Sequence, residues 1–203
     1  MWRNGPGWAA GAVGTTLLSV AGLALATRGG PGFGGYISES GVAGAPHVGL
    51  YRLTLILIAV AAGTTALALR PVARHAALAM ALAVPFLLLS GTVQCSAGCP
   101  LPPYQQATAG DLVHAGASIA AVGLCAAAML AAAWWGGDRL VRLTSWWFAA
   151  GTFPVLVAMA AGLALVGRGT VTGVLERIAL AGCLAWVVAV ATPRAVYRHR
   201  PPG

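Results

Sequence analysis

Six long stretches of the chain are almost wholly apolar, roughly 8–27, 50–69, 76–93, 112–135, 146–166 and 174–196. Each is close to the about 20 residues that a helix needs to cross a bilayer. None shows the period-two alternation of a lipid-facing β-strand. Polar residues gather in the connectors, punctuated by Gly and Pro. The pattern predicts one all-α domain over 1–203, a polytopic transmembrane bundle of six helices. Pro85 and Pro154 fall inside the third and fifth stretches, where neighbouring helices can accommodate a kink.

The connectors alternate between short and long, and the arginines follow that alternation. With the N-terminus inside, the cytoplasmic segments hold Arg3, Arg70, Arg74, Arg139, Arg142, Arg194, Arg198 and Arg200, and the outer ones hold Arg28, Arg52, Arg168 and Arg177. Eight against four predicts that both termini are cytoplasmic. Trp134, Trp135, Trp146 and Trp147 flank the 136–145 connector as an interfacial aromatic belt. A competing reading takes Arg3, the first apolar run and Ala24–Ala26 as a cleaved signal peptide, although that run is long for one and rich in Gly and Thr.

Composition agrees with a lipid environment. The chain is 59% hydrophobic and 8% charged, with a mean hydropathy of +0.82, whereas soluble domains are about 25% charged. All twelve basic residues are arginines in an Ala- and Gly-rich background. That bias suggests a GC-rich bacterial genome, and hence a multi-pass protein of the bacterial cell (inner) membrane. The high pI does not indicate a nucleic-acid partner, because the arginines are scattered at the ends of apolar runs rather than clustered with aromatics. The expected partners are membrane lipids and, secondarily, another membrane subunit; no cofactor is expected.

Candidate chemistry collects on the side of the long connectors, 28–49 and 94–110, and of the shorter 167–173. Three of the four acids, Glu39, Asp111 and Glu176, lie there with His47 and His114. The first connector reads as a turn-rich loop, or as a lid whose Glu39 reaches a cation. Asp111, His114 and Ser118 stand at i, i+3 and i+7, within an arc of about 60° on one helix face. This stripe is a candidate catalytic or binding set, but Thr108 and Asp111 also have capping-box spacing, and Ser118 suits ordinary helix packing. His114 fits the structural account least, because a titratable ring one turn inside a membrane helix is costly without a partner. Arg52 and Arg177 stand near the starts of their helices, where a cation opposes the macrodipole. Each therefore calls for a carboxylate unless it snorkels to headgroups. The expected pairs are Arg52 with Asp111, and Arg177 with Glu39 or Glu176.

Cys95 and Cys99, spaced C-x₃-C, predict a disulfide in a small loop stiffened by Pro100, Pro102 and Pro103. A redox pair and half of a zinc site are the weaker options. Cys125 and Cys183, in mid-helix, read as small packing residues.

With these pieces assembled, the chain resembles a bacterial six-helix family known as domain of unknown function 998, thought to be distantly akin to DRAM/Frag-like membrane proteins. The residues that carry the resemblance are YISESG (36–41), DLVH (111–114) and GVLERIALAGCLAW (173–186). The resemblance implies a fold and a membrane location with no established reaction, and it does not cover the Cys95–Cys99 insertion. A fainter likeness is to membrane hydrolases of the alkaline-ceramidase type, which use a zinc held by three histidines. Here only His47 and His114 lie on the relevant side, with Asp111 and a cysteine as further ligands, while His75 and His199 lie at the other face.

The expected function is thus an integral membrane protein whose outer polar cluster binds a lipid headgroup, a small amphiphile or a partner subunit. Its ligand residues would be Glu39, His47, Arg52, Asp111, His114, Glu176 and Arg177. The alternative is a membrane-embedded hydrolase, with or without a metal, acting on an outer-leaflet lipid through Asp111, His114 and Ser118. A transporter fits less well, because no ionisable residue reaches the midplane.

Overall fold

The apolar stretches fold as six α-helices in the computed structural model, which describes residues 5–30 and 32–196. They are α1 (Gly5–Ala26), α2 (Val48–Leu69), α3 (Arg74–Thr92), α4 (Ala109–Trp135), α5 (Arg139–Leu165) and α6 (Thr170–Val196). Each is long and apolar enough to cross a membrane, and no strand occurs among the described residues. Arg3, Arg198, His199 and Arg200 lie outside the described residues.

The helices begin earlier than hydropathy alone indicates, because polar caps extend them. Asp138 accepts hydrogen bonds from the Leu140 and Val141 amides, and so starts α5 seven residues ahead of the apolar run. Thr108 accepts from the Asp111 amide and does the same for α4.

The helices form a closed ring. Each packs against its neighbours in sequence, and α6 returns to pack against α1. α1 is thus a full member of the ring, between α2 and α6. The short connectors, the start of α1 and the end of α6 lie at one end of the bundle, the short-loop end. The α1–α2, α3–α4 and α5–α6 connectors lie at the other, the long-loop end.

Alanine makes the close packing possible. Ala9, Ala12, Ala76, Ala128 and Ala132 are fully buried in the main core with Met129 and Trp186, and small side chains let helix backbones approach without a hydrophobic driving force. Buried hydroxyls are satisfied along their own helices. Thr16, Thr54 and Thr65 donate to the carbonyls of Ala12, Leu50 and Ala61, four residues back. The Trp186 indole donates to the Ser145 hydroxyl at 3.0 Å, tying α6 to α5. At the short-loop end Arg194 bridges to Asp138 at 3.3 Å and donates to the Ala68 carbonyl, which fastens α6, α5 and α2 together.

Candidate functional site

The long-loop end is covered by the α1–α2 connector, which folds back over α6 through two 3₁₀ turns at Gly32–Gly34 and Ile37–Gly41. Three charged side chains hold it. Glu39 accepts from the Tyr36 amide at 2.9 Å and forms a two-pronged ion pair with Arg168 of the α5–α6 connector, both contacts at 2.7 Å. Those bonds strengthen the guanidinium's hold on its proton. Glu176 of α6 accepts from the Ile37 amide at 2.6 Å. Arg177 donates to the carbonyls of Gly32, Gly35 and Gly173, and its guanidinium lies 5.3 Å from the Phe33 ring centre.

The connector can lie this close because of two glycines in the motifs. A Cβ on Gly173 would stand 2.5 Å from the Gly35 carbonyl oxygen and 2.8 Å from that of Phe33, and one on Gly41 would enter the buried Tyr51 ring. Tyr36, also buried, stands near Thr172, and burial pushes the phenol's pKa above its ordinary value. The runs YISESG and GVLER therefore meet as one unit, a cap seated on the start of α6.

The stripe on α4 lies alongside this cap, and its side chains bond to neighbouring backbone and hydroxyl groups rather than to one another's side chains. Asp111 is 1% exposed. Its carboxylate accepts from the amide and hydroxyl of Ser96 and from the amide and hydroxyl of Thr108. It therefore caps its own helix and holds the α3–α4 connector. His114 is also buried, and its Nδ1 donates to the carbonyls of Ser90 at 2.9 Å and Val93 at 3.0 Å. Ser118 donates to the backbone carbonyl of His114 and shares a hydrogen bond with Ser90 at 2.8 Å. The imidazole thus bonds to neither Asp111 nor Ser118.

Two expected ion pairs are replaced. Asp111 is occupied by its cap and connector, so Arg52 is half-buried without an ion pair among the described residues. Arg177 takes backbone carbonyls, and Arg168, which the sequence reading leaves without a partner, takes Glu39. His47 is exposed just ahead of α2 and does not join the cluster. No three His, Cys, Asp or Glu side chains among the described residues converge to hold a metal, so His47, Asp111 and His114 do not form a ligand set.

The Cα atoms of Cys95 and Cys99 stand 5.0 Å apart with their sulfurs in contact, a separation that a disulfide spans. Both pack beside Tyr36 under the cap. Alkylation of the denatured protein without reductant is expected to modify two of the four cysteines, Cys125 and Cys183. Mass analysis finding all four modified would show that the pair is reduced.

Two cavities meet beneath the cap. The upper one, of about 100 Å³, is lined by Tyr36, His114, Ser118, Met159, Thr172 and Glu176, among others. A second, of about 120 Å³, lies in the centre of the ring between Leu55, Ile58, Met80, Leu87, Leu180 and Leu184. They share Ser118, Val122, Met159 and Glu176 as lining residues. Within this site His114 Nε2 is buried and has no hydrogen-bond partner among the described residues.

The sequence reading misses Arg168, Ser96, Tyr36 and Gly173 as site-building residues. Only two of them carried a usable signal. Gly173 and Arg177 have the i, i+4 spacing at which an arginine can reach back to a helix's first carbonyls, and Arg168 sits between two glycines in a short connector.

The match to known families is consistent with this convergence of motifs. Residues 12–193 match the family described as protein of unknown function (DUF998), and the chain belongs to that family. No curated protein and no solved structure matches the chain.

Proposed function

We propose that this multi-pass membrane protein binds a small amphiphile in the paired cavities, with the polar end at His114 and Glu176 and the apolar end in the ring centre. The observation that supports this most is the unpartnered Nε2 of His114. A buried polar atom without a partner costs about 1–3 kcal/mol, so such atoms are few in folded chains and mark places where something else completes the bonding. Here the atom belongs to a residue that lines a mostly apolar pocket with a few convergent polar groups, the usual make-up of a small-molecule site.

In the same reading the long-loop end faces outward from a bacterial cell membrane. The arginine bias supports it, because Arg70, Arg74, Arg139, Arg142 and Arg194 stand at the short-loop end. Of the four at the long-loop end, Arg168 and Arg177 are engaged in holding the cap.

The test is native mass spectrometry of protein released from bacterial membranes in a mild detergent. Wild type is expected to retain a small amphiphile, and the His114→Phe variant to retain about tenfold less of it. Equal retention by the folded variant would remove His114 from the site.

A further inference from the structure

We infer that the ligand's polar end is a hydrogen-bond donor, a hydroxyl or an ammonium group, carried on a single slender apolar chain; this rests on the amphiphile reading above. The groups around the upper cavity determine which chemistry it can take. His114 Nδ1 stands between two carbonyl oxygens, Ser90 at 2.9 Å and Val93 at 3.0 Å. Carbonyls only accept, so Nδ1 carries the hydrogen, and in the neutral ring Nε2 is a lone-pair acceptor. The carboxylate of Glu176, which lines both cavities, is a second acceptor.

Several donors near the upper cavity are engaged elsewhere, and the hydroxyls of Ser38, Tyr36 and Tyr51 that line the two cavities are neutral. Ser118 donates to the His114 carbonyl. Thr172 donates to the carbonyls of Gly167 and Gly169, and its oxygen accepts from the Gly169 amide. No arginine is among the described residues lining either cavity. Arg168 and Arg177 are held by Glu39 and by the cap's carbonyls. A phosphate or carboxylate at this place would stand beside the Glu176 carboxyl with no cation to balance its charge, whereas a hydroxyl or ammonium carries the hydrogen that Nε2 lacks.

The shape limits the rest of the molecule. Cavities of about 120 and 100 Å³ are each smaller than the roughly 150 Å³ apolar cavity that admits benzene. They adjoin at Val122 and Met159, so an unbranched chain can pass from one to the other, and the small volumes favour one acyl chain over two.

Three photoreactive probes with the same diazirine-bearing alkyl chain, ending in a hydroxyl, an ammonium or a phosphate, test this in protein held in lipid nanodiscs. The hydroxyl and ammonium probes are expected to label the peptides containing Val122 and Met159 about tenfold more than the phosphate probe does. His114→Phe should remove that difference. Met159→Trp, which fills the junction without touching the imidazole's hydrogen bonds, should abolish labelling of Val122 by every probe. Phosphate labelling equal to or above the others at the same residues would overturn the head-group assignment and leave the amphiphile reading standing. Labelling confined to lipid-facing residues for all three probes would overturn both.

Discussion

Replacing Asp111 by Ala is expected to destabilise the protein by about 3–4 kcal/mol, measured as reversible unfolding in detergent micelles. The side chain is buried, and its two oxygens collect bonds from four donors on Ser96 and Thr108. Alanine leaves the amides of Ser96 and Thr108 without their acceptor at an almost dry position, and it removes an acidic group from the positive end of a long helix. The loss comes from two sources that act together. The N-terminal cap alone is worth about 1 kcal/mol, and the remainder comes from releasing the α3–α4 connector that Asp111 holds from below. Asp111→Asn, which keeps one acceptor oxygen and adds a donor facing other donors, should fall between the two. If the Ala variant lay within about 1 kcal/mol of wild type, Asp111 would not be the structural keystone of this end, and a role in binding or chemistry would return to consideration.

The helices were legible in the sequence because about 20 apolar residues in a row admit few other structures. The starts of α4 and α5 were less so, since Asp138 extends α5 through Arg139 and Arg142, whose charges lower any hydropathy average. That Glu39, Asp111 and Glu176 share one end of the bundle was legible from the connectors in which the acids fall. Its pairings were not legible. Whether Arg52 meets Asp111 depends on the rotation of two helices and on a connector whose Ser96 takes the carboxylate first, and neither follows from spacing within one helix. Burial of His114 calls for a partner. The partner of Nδ1 turned out to be a pair of backbone carbonyls at the end of α3, which no side-chain inventory contains. The capping box, a purely local pattern, was readable for the same reason that it is local.

Gly173 offers the sharpest test of the cap. A side chain here has nowhere to go, because its Cβ would stand 2.5 and 2.8 Å from the carbonyl oxygens of Gly35 and Phe33 and 3.2 Å from Arg177 Nη1. Two of these neighbours are backbone, so relief requires the connector to lift off α6 rather than a rotamer to change. Gly173→Leu is therefore expected to detach residues 32–41, with three consequences that share one cause. Arg177 would lose its bonds to Gly32 and Gly35, Glu176 its bond from Ile37, and Tyr36 its seat beside Thr172. Hydrogen exchange of residues 36–41 should accelerate by about 100-fold, corresponding to a local loss of roughly 3 kcal/mol. The hydrogen bonds of Asp111 and Trp186 do not involve the cap, so exchange in α4 and in the middle of α6 should change far less. Gly116→Ala serves as the control, since a Cβ there meets nothing within 4 Å, and alanine in mid-helix is neutral or favourable by up to about 1 kcal/mol. If the Leu variant exchanged like wild type over 36–41, the seating of the connector on α6 would be wrong. A lifted cap exposes the upper cavity, so the variant should also release any retained amphiphile faster than wild type, although His114 itself is unchanged.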